Sequence, residues 1–363
     1  MLAHRPAILA IAICLNLSAL FATQAGASGG AASFPGAEWP KTTPAEAGWD
    51  AKPLAEARAF MQRAGTASFV VVQHGVVVDS SGDIGRRLEL HSVRKSLLSA
   101  LIGVAVGRGT IRLGDTLDKL GVDDAPPSLS PEEKQATVRE LLQSRSGVYH
   151  TANYETAGER RQRPERGSHA PGTFWYYNNW DFNALGAIYE HAVGESIFQA
   201  FQDRIANPLA MQDYRPSDGR YENDGSSQIP AYPFRMSARD LARFGLLYLR
   251  GGRWRGEQVV PASWVAESTR GWSQTHIQSG YGYLWWTGFQ TRRVSIMDLP
   301  PGGFWADGAK GQFVVVDPAD DLVVVHQTDG ATVTERQMGH LMWLILSAAH
   351  ARDPGQDPDP SGE

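Results

Sequence analysis

Residues 311–329 read GQFVVVDPADDLVVVHQTD: one β-branched run at Gln312–Val316, a turn on Asp317–Asp321, and a second run at Leu322–His326. Near the other end of the chain, SFVVVQHGVVVDSSGD (68–83) repeats the pattern about His74-Gly75. Each hairpin has a helical neighbour. PAEAGWDAKPLAEARAFMQRAG (44–65) carries apolar residues at helical spacing and stops at Gly65, and TERQMGHLMWLILSAAHARD (334–353) is amphipathic in the same way. The intervening residues are poor in alternation and rich in helical patterns: SPEEKQATVRELLQS (130–144), NALGAIYEHAVGESIFQAFQDRIA (183–206) and SARDLARFGLLYLRGG (237–252). Strands from both ends and helices from the middle predict an α+β fold, an antiparallel sheet flanked by N- and C-terminal helices and interrupted by a large, mainly helical insertion. The expected domain covers 43–350, with its sheet part at about 43–108 and 287–350 and its helical part at about 109–286. The cleft between the parts is the expected site.

The chain has 363 residues, 42% hydrophobic and 20% charged, which is ordinary globular composition. A net charge of -5 without a basic stripe argues against nucleic acid as a partner, and a small, uncharged or mildly polar molecule is expected instead. MLAHRPAILAIAICLNLSALFATQAGA (1–27) has a basic start, an apolar stretch from Ala7 to Phe21 and small residues at Ala25 and Ala27, the layout of a secretory signal cleaved after Ala27. Residues 28–42 then form a flexible leader, and 351–363 a disordered tail. An exported protein, periplasmic or secreted, with no stable membrane partner after cleavage is the expectation. The single cysteine, Cys14, lies in the signal, and Ile13 before it does not suit lipid attachment. The mature chain therefore has no thiol for catalysis, disulfides or metal. No H-E-x-x-H or similar spacing occurs, and no cofactor or metal is expected. The G-x-S-x-G at Gly26–Gly30 lacks the strand and helix that a nucleophile elbow needs.

HSVRKSLLSA (91–100) marks the entry to a long apolar run, VRKSLLSALIGVAVGRG (93–109). Ser92 there is open to two readings. Serine is among the best N-cap residues. Residues three apart also share a helix face, so Lys95 points its amine back toward the Ser92 hydroxyl, and partial desolvation favours the neutral amine that takes a proton. His91 faces away from its neighbour and reads as structural. PGTFWYYNNWDFNALG (171–186) sets Tyr176, Tyr177, Asn178 and Asn179 among aromatics at a helix start; these are caps and core, or a phenol that shuttles protons and an amide that orients a carbonyl.

Ser92-Val93-Arg94-Lys95 followed by Tyr177-Asn178-Asn179 resembles the serine β-lactamase and penicillin-binding-protein superfamily, in its class C-like branch with Y-x-N as second box. LLQSRSGV (141–148), VVPASWV (259–265) and YGYLWW (281–286) agree in order and spacing, so that the resemblance spans roughly residues 43 to 348. It implies that Ser92 is the nucleophile of an acyl-enzyme, that Lys95 and Tyr177 move protons, and that Asn179 positions substrate and the lysine. The third box departs from the family. Where members recognising penicillins or D-alanyl peptides carry Lys-Thr-Gly or His-Thr-Gly, GGFWADGAKGQFVVVDP (302–318) gives Ala306-Asp307-Gly308. A carboxylate in place of a cation should repel anionic substrates unless Lys310 compensates, while the Ser92 and Ala309 amides can still form an oxyanion hole. DGAKGQ (307–312) is also similar to the corresponding segment of 6-aminohexanoate-oligomer hydrolases and family VIII carboxylesterases. The expected activity is that of a serine hydrolase cleaving a small ester or amide; a β-lactamase, a D-alanyl-D-alanine carboxypeptidase and a non-catalytic sensor are the alternatives. YHTANYETAGERRQRPERGSHAPG (149–172) is expected to loop over the site, with Tyr154 either a substrate contact or surface. Trp175, Trp180, Trp286 and Trp305 are pocket wall or core.

Overall fold

The computed structural model describes Met1 and residues 33–275, 279–288, 296–297 and 299–350; apart from Met1 the expected signal, and the expected tail, lie outside these. Residues 33–42 of the expected flexible leader are instead held in place, with Trp39 buried, Lys41 bridged to Val77 and the Gly36 and Ala37 carbonyls accepting from Arg243. The account below concerns the unit that follows Ala31. Its centre is one eight-stranded sheet. Strands β1 (Thr66–Gln73), β2 (Val76–Gly82), β3 (Ser273–Gln274), β4 (Gly280–Tyr281), β5 (Trp286–Thr287), β6 (Phe304–Gly308), β7 (Gln312–Asp317) and β8 (Leu322–Thr328) lie in the order β2-β1-β8-β7-β6-β5-β4-β3. Every neighbouring pair is antiparallel, and β1 against β8, with Val70 opposite Val325, joins the two ends of the chain.

Continuous valine runs, rather than apolar–polar alternation, follow from burial of both sheet faces. Val70, Val72, Val314, Val316, Val323 and Val325 point into one core; Phe69, Val71, Phe313, Val315, Leu322 and Val324 point into the other. The second core is closed by α1 (Ala51–Arg63), capped by Asp50 Oδ1 accepting from Lys52 N–H at 2.8 Å, and by the last helix, Glu335–His350. These are the terminal helices expected from the sequence. The first core holds α2 (Val93–Gly107), which is apolar on nearly every side because it lies between β6 and α3 (Asn179–Val193).

Two features differ from expectation. The sheet reaches back past residue 287, because β3, β4 and part of β5 come from 273–286; strands of two residues are too short for alternation to reveal them. And α4 (Ala238–Leu249), read as part of the helical insertion, packs on β1, β7 and β8. Periodicity shows that a helix has an apolar face, not which partner covers it. The remaining predicted helices are shorter than their patterns. Residues 130–144 hold only a 3-10 turn at Glu133–Gln135 and a helix at Val138–Leu142, restarted by the Thr137–Glu140 capping box, and α3 ends at Gly194, whose φ of 73° suits glycine. The last helix of the described chain, Glu335–His350, is α5.

Candidate active site

The first residues of α2 bear on the two readings of Ser92. The Ser92 backbone is already helical (φ -78°, ψ -11°), and its side chain makes no capping hydrogen bond. The preceding His91 takes a positive φ of 48°, a left-handed turn that is uncommon for non-glycine residues and delivers Ser92 directly into the helix. Ser92 Oγ is thus left for Lys95, whose Nζ stands 2.9 Å away. The same Nζ is 2.6 Å from Tyr177 Oη. Three functional groups, from two segments 82 residues apart, meet around one nitrogen.

Lys95 is 1% exposed, lies 4.2 Å from the Tyr177 ring centre and 4.4 Å from that of Phe182, and forms no ion pair among the described residues. Burial, seconded by the neighbouring Arg94 charge, holds its amine well below the ordinary lysine value; Glu159 and Asp307 oppose the shift. Burial likewise pushes the Tyr177 phenol up, so that it keeps its proton. Phe182 at 5.0 Å and Trp286, stacked at 5.6 Å, hold the Tyr177 ring in place.

The third box lies beside them because β6 runs against the backbone that leads into α2. A Cβ on Gly308 would fall 2.3 Å from the Leu90 carbonyl oxygen and 3.2 Å from Ser92 N, so only glycine allows this approach. It brings the tight turn Ala309–Gly311 next to Ser92. Neither the Ser92 nor the Ala309 N–H finds a backbone acceptor among the described residues. The turn is fixed from below: His326 Nδ1 hydrogen-bonds the Gly311 carbonyl at 2.8 Å while its Nε2 meets Thr66 Oγ1 at 2.8 Å.

These groups line a cavity of about 400 Å³, whose walls include Ser92, Trp175, Tyr177, Trp286, Asp307, Gly308, Ala309 and Lys310. Lys95 lies behind the Ser92 wall. Asn179, like Lys95, is not among the lining residues; it is buried as the first residue of α3. Asn178 is the helix cap, its Oδ1 accepting from Trp180 N–H at 3.2 Å. Trp175 and Trp286 are pocket wall, whereas Trp180 and Trp305 are fully buried core. Tyr154 is not among the lining residues; its hydroxyl donates to Glu89 and its ring stacks on His91.

Glu159 and Glu335 were not singled out in the sequence, yet both line the cavity. Glu159 sits in the 149–172 segment, on a helix at Ala157–Gln162 whose capping box it completes with Thr156. T-A-G-E reads as that box, which gave no sign of the cavity. Glu335 opens α5 and shares a hydrogen bond with Asp307. Asp307 is therefore not the simple anion its position suggests. Burial first, and then Glu335, hold its carboxyl well above the usual range.

Known proteins share this framework. The profile of the family described as Beta-lactamase matches residues 54–346. Among solved structures, the chain is similar to a putative 6-aminohexanoate-dimer hydrolase from Bacillus anthracis, with 21% identity, a TM-score of 0.63 and 81% of each chain covered. It is also similar to an octameric penicillin-binding protein homologue from Pyrococcus abyssi, with 17% identity, a TM-score of 0.62, and 84% of this chain and 78% of that one covered. A third likeness is to EstCE1, a hydrolase with promiscuous acyltransferase activity, at 16% identity and a TM-score of 0.60 over 81% of this chain and 98% of that one. At these identities the structures speak for the fold. The family match, which takes in the serine–lysine helix, the tyrosine and the whole third-box hairpin, is what places the chain in the Beta-lactamase family.

Proposed function

We propose that the protein is a serine hydrolase that cleaves a small ester or amide through an acyl-enzyme on Ser92. One observation carries this reading: a buried amine, without an ion pair among the described residues, within 2.9 Å of Ser92 Oγ and 2.6 Å of Tyr177 Oη, at the wall of a cavity. As Ser92 attacks the substrate carbonyl, its proton passes to the neutral Lys95 amine. The Oγ–carbon bond forms, and the tetrahedral oxyanion is held by the Ser92 and Ala309 N–H groups. Tyr177, which keeps its own proton, acts as a relay: it donates to the leaving group and is reprotonated from Lys95. Collapse expels the alcohol or amine. Water then attacks the acyl-enzyme, with the same pair removing its proton, and Ser92 is restored.

Lys310 lines the cavity, but the carboxyl groups of Glu159, Asp307 and Glu335 outnumber it, which favours neutral over carboxylate-bearing substrates. Export remains part of this proposal, resting on residues 1–27. The test is a panel of short-chain p-nitrophenyl esters, nitrocefin, a D-alanyl-D-alanine peptide and a linear aminohexanoate dimer, with Ser92→Ala as control. Ester or amide turnover abolished in Ser92→Ala, with weak nitrocefin turnover, is the expected outcome. Nitrocefin turnover exceeding that of the esters would overturn the substrate assignment, and turnover surviving in Ser92→Ala would overturn the nucleophile.

A further inference from the structure

Arg94 has no part in the mechanism above, yet it is 1% exposed in the middle of the molecule. Its guanidinium lies 4.4 Å from the Tyr232 ring centre and 5.5 Å from that of Tyr154. Nη2 has one long contact, 3.5 Å, with Asn183 Oδ1, and Nε and Nη1 meet no acceptor of good geometry among the described residues. The carboxylate of Glu89, which accepts from the Tyr154 hydroxyl, is held by Arg220 at 3.2 and 3.1 Å instead. No ion pair to Arg94 occurs among the described residues. A buried guanidinium without a counter-ion is costly, and an apolar side chain would fill the same space more cheaply. Arginine also never gives up its proton, so the charge persists at every working pH.

That charge sits beside the base. Arg94 and Lys95 are consecutive on α2 and pack on consecutive residues of α3, Asn183 and Phe182. The groups facing the Lys95 amine are the Ser92 and Tyr177 hydroxyls, the Phe182 ring, the carboxyls of Glu159 and Asp307, and Arg94. The two carboxyls favour an ammonium; among these groups Arg94 opposes it by charge. We propose that Arg94 is a positioning residue for acylation, its unpaired guanidinium holding Lys95 in the neutral, proton-accepting form. The role rests on the reading of Lys95 as the base, and the electrostatics agree, with Arg94 second only to burial in disfavouring the ammonium.

The test is the rate at which a fluorophosphonate modifies Ser92 between pH 5 and 10, in the wild type, Arg94→Gln and Arg94→Lys. The wild-type rate should fall on the acid side at a pH well below the ordinary lysine value of 10.5. In Arg94→Gln that limb should move up by about one pH unit, making labelling at pH values on the acid limb about tenfold slower, with the rates converging in alkali. Arg94→Lys keeps the stem and is the less disruptive change. An amine there sheds its proton in the same surroundings, so its limb should move the same way. A uniform slowing with the limb unmoved would mean that Arg94 only packs, and would overturn the proposal; so would a wild-type limb at the ordinary lysine value. Complete absence of wild-type labelling would instead overturn the Ser92 reading on which the proposal rests.

Discussion

Around Ser92, the decisive quantities are two distances and two protonation states. Burial, with no ion pair among the described residues, holds the Lys95 amine well below the ordinary lysine value, and burial among aromatic rings pushes the Tyr177 phenol up. In the proposed mechanism this divides labour that the sequence left shared: the amine serves as the base and the phenol as the relay. Tyr177→Phe should therefore lower kcat for a p-nitrophenyl ester by about 10²-fold or more, without moving the acid limb of the pH profile, since that limb belongs to Lys95. Stopped-flow acylation over pH 5–10 reads both effects. A Phe variant with an altered limb would return the role of base to the tyrosine. Ser92, Lys95 and Tyr177 were legible from spacing and motif order, because a helix face at i, i+3 is a local property. The Asp307–Glu335 pair was not. Its members lie on different elements, and only the packing of α5 against the sheet brings them together.

Among the elements, the hairpin β6–β7 does the placing. Gly308 lets β6 lie against Leu90 and Ser92, and the turn behind it carries the Ala309 amide to the nucleophile. Gly308→Ala must push the strand away from a backbone oxygen 2.3 Å from the added methyl group, and no flexible side chain is there to yield. The expected result is a loss of at least about tenfold in kcat/KM with the far-ultraviolet circular dichroism unchanged, because misplacing an oxyanion donor by a fraction of an ångström is enough. An Ala variant of full activity would separate the hairpin from catalysis. The strands at 66–82 and 312–328 were legible from their valine runs, and α1 and α5 from their apolar spacing. The partner of α4 and the two-residue strands at 273–287 were not, since the first depends on tertiary packing and the second carry no period.

For the whole molecule, the sheet ties both ends of the described chain to the site, and His326 is where this connection responds to pH. It bridges Thr66 on β1 and Gly311 in the catalytic turn as a neutral ring, and burial holds its pKa down to about 4 from the ordinary 6.5. Between these values the unfolded chain binds a proton that the folded one refuses. This contribution to stability is therefore full above pH 6.5, is lost as the pH falls toward 4, and changes no further below. It amounts to about 3 kcal/mol across the window. Wild type and His326→Gln, compared by urea unfolding at pH 7 and pH 4.5, should show the wild type losing more stability than the variant on acidification. Equal losses would mean that His326 is already charged in the folded protein.

The central claim is that Ser92 is a nucleophile activated by a buried neutral lysine, and intact-mass analysis after brief fluorophosphonate treatment at pH 7 tests it most directly. The account predicts one adduct per chain, mapping to Ser92, absent from Ser92→Ala and formed at least about 10²-fold more slowly in Lys95→Ala. Folded wild-type protein that takes no label, or a Ser92→Ala variant that takes as much, would contradict it.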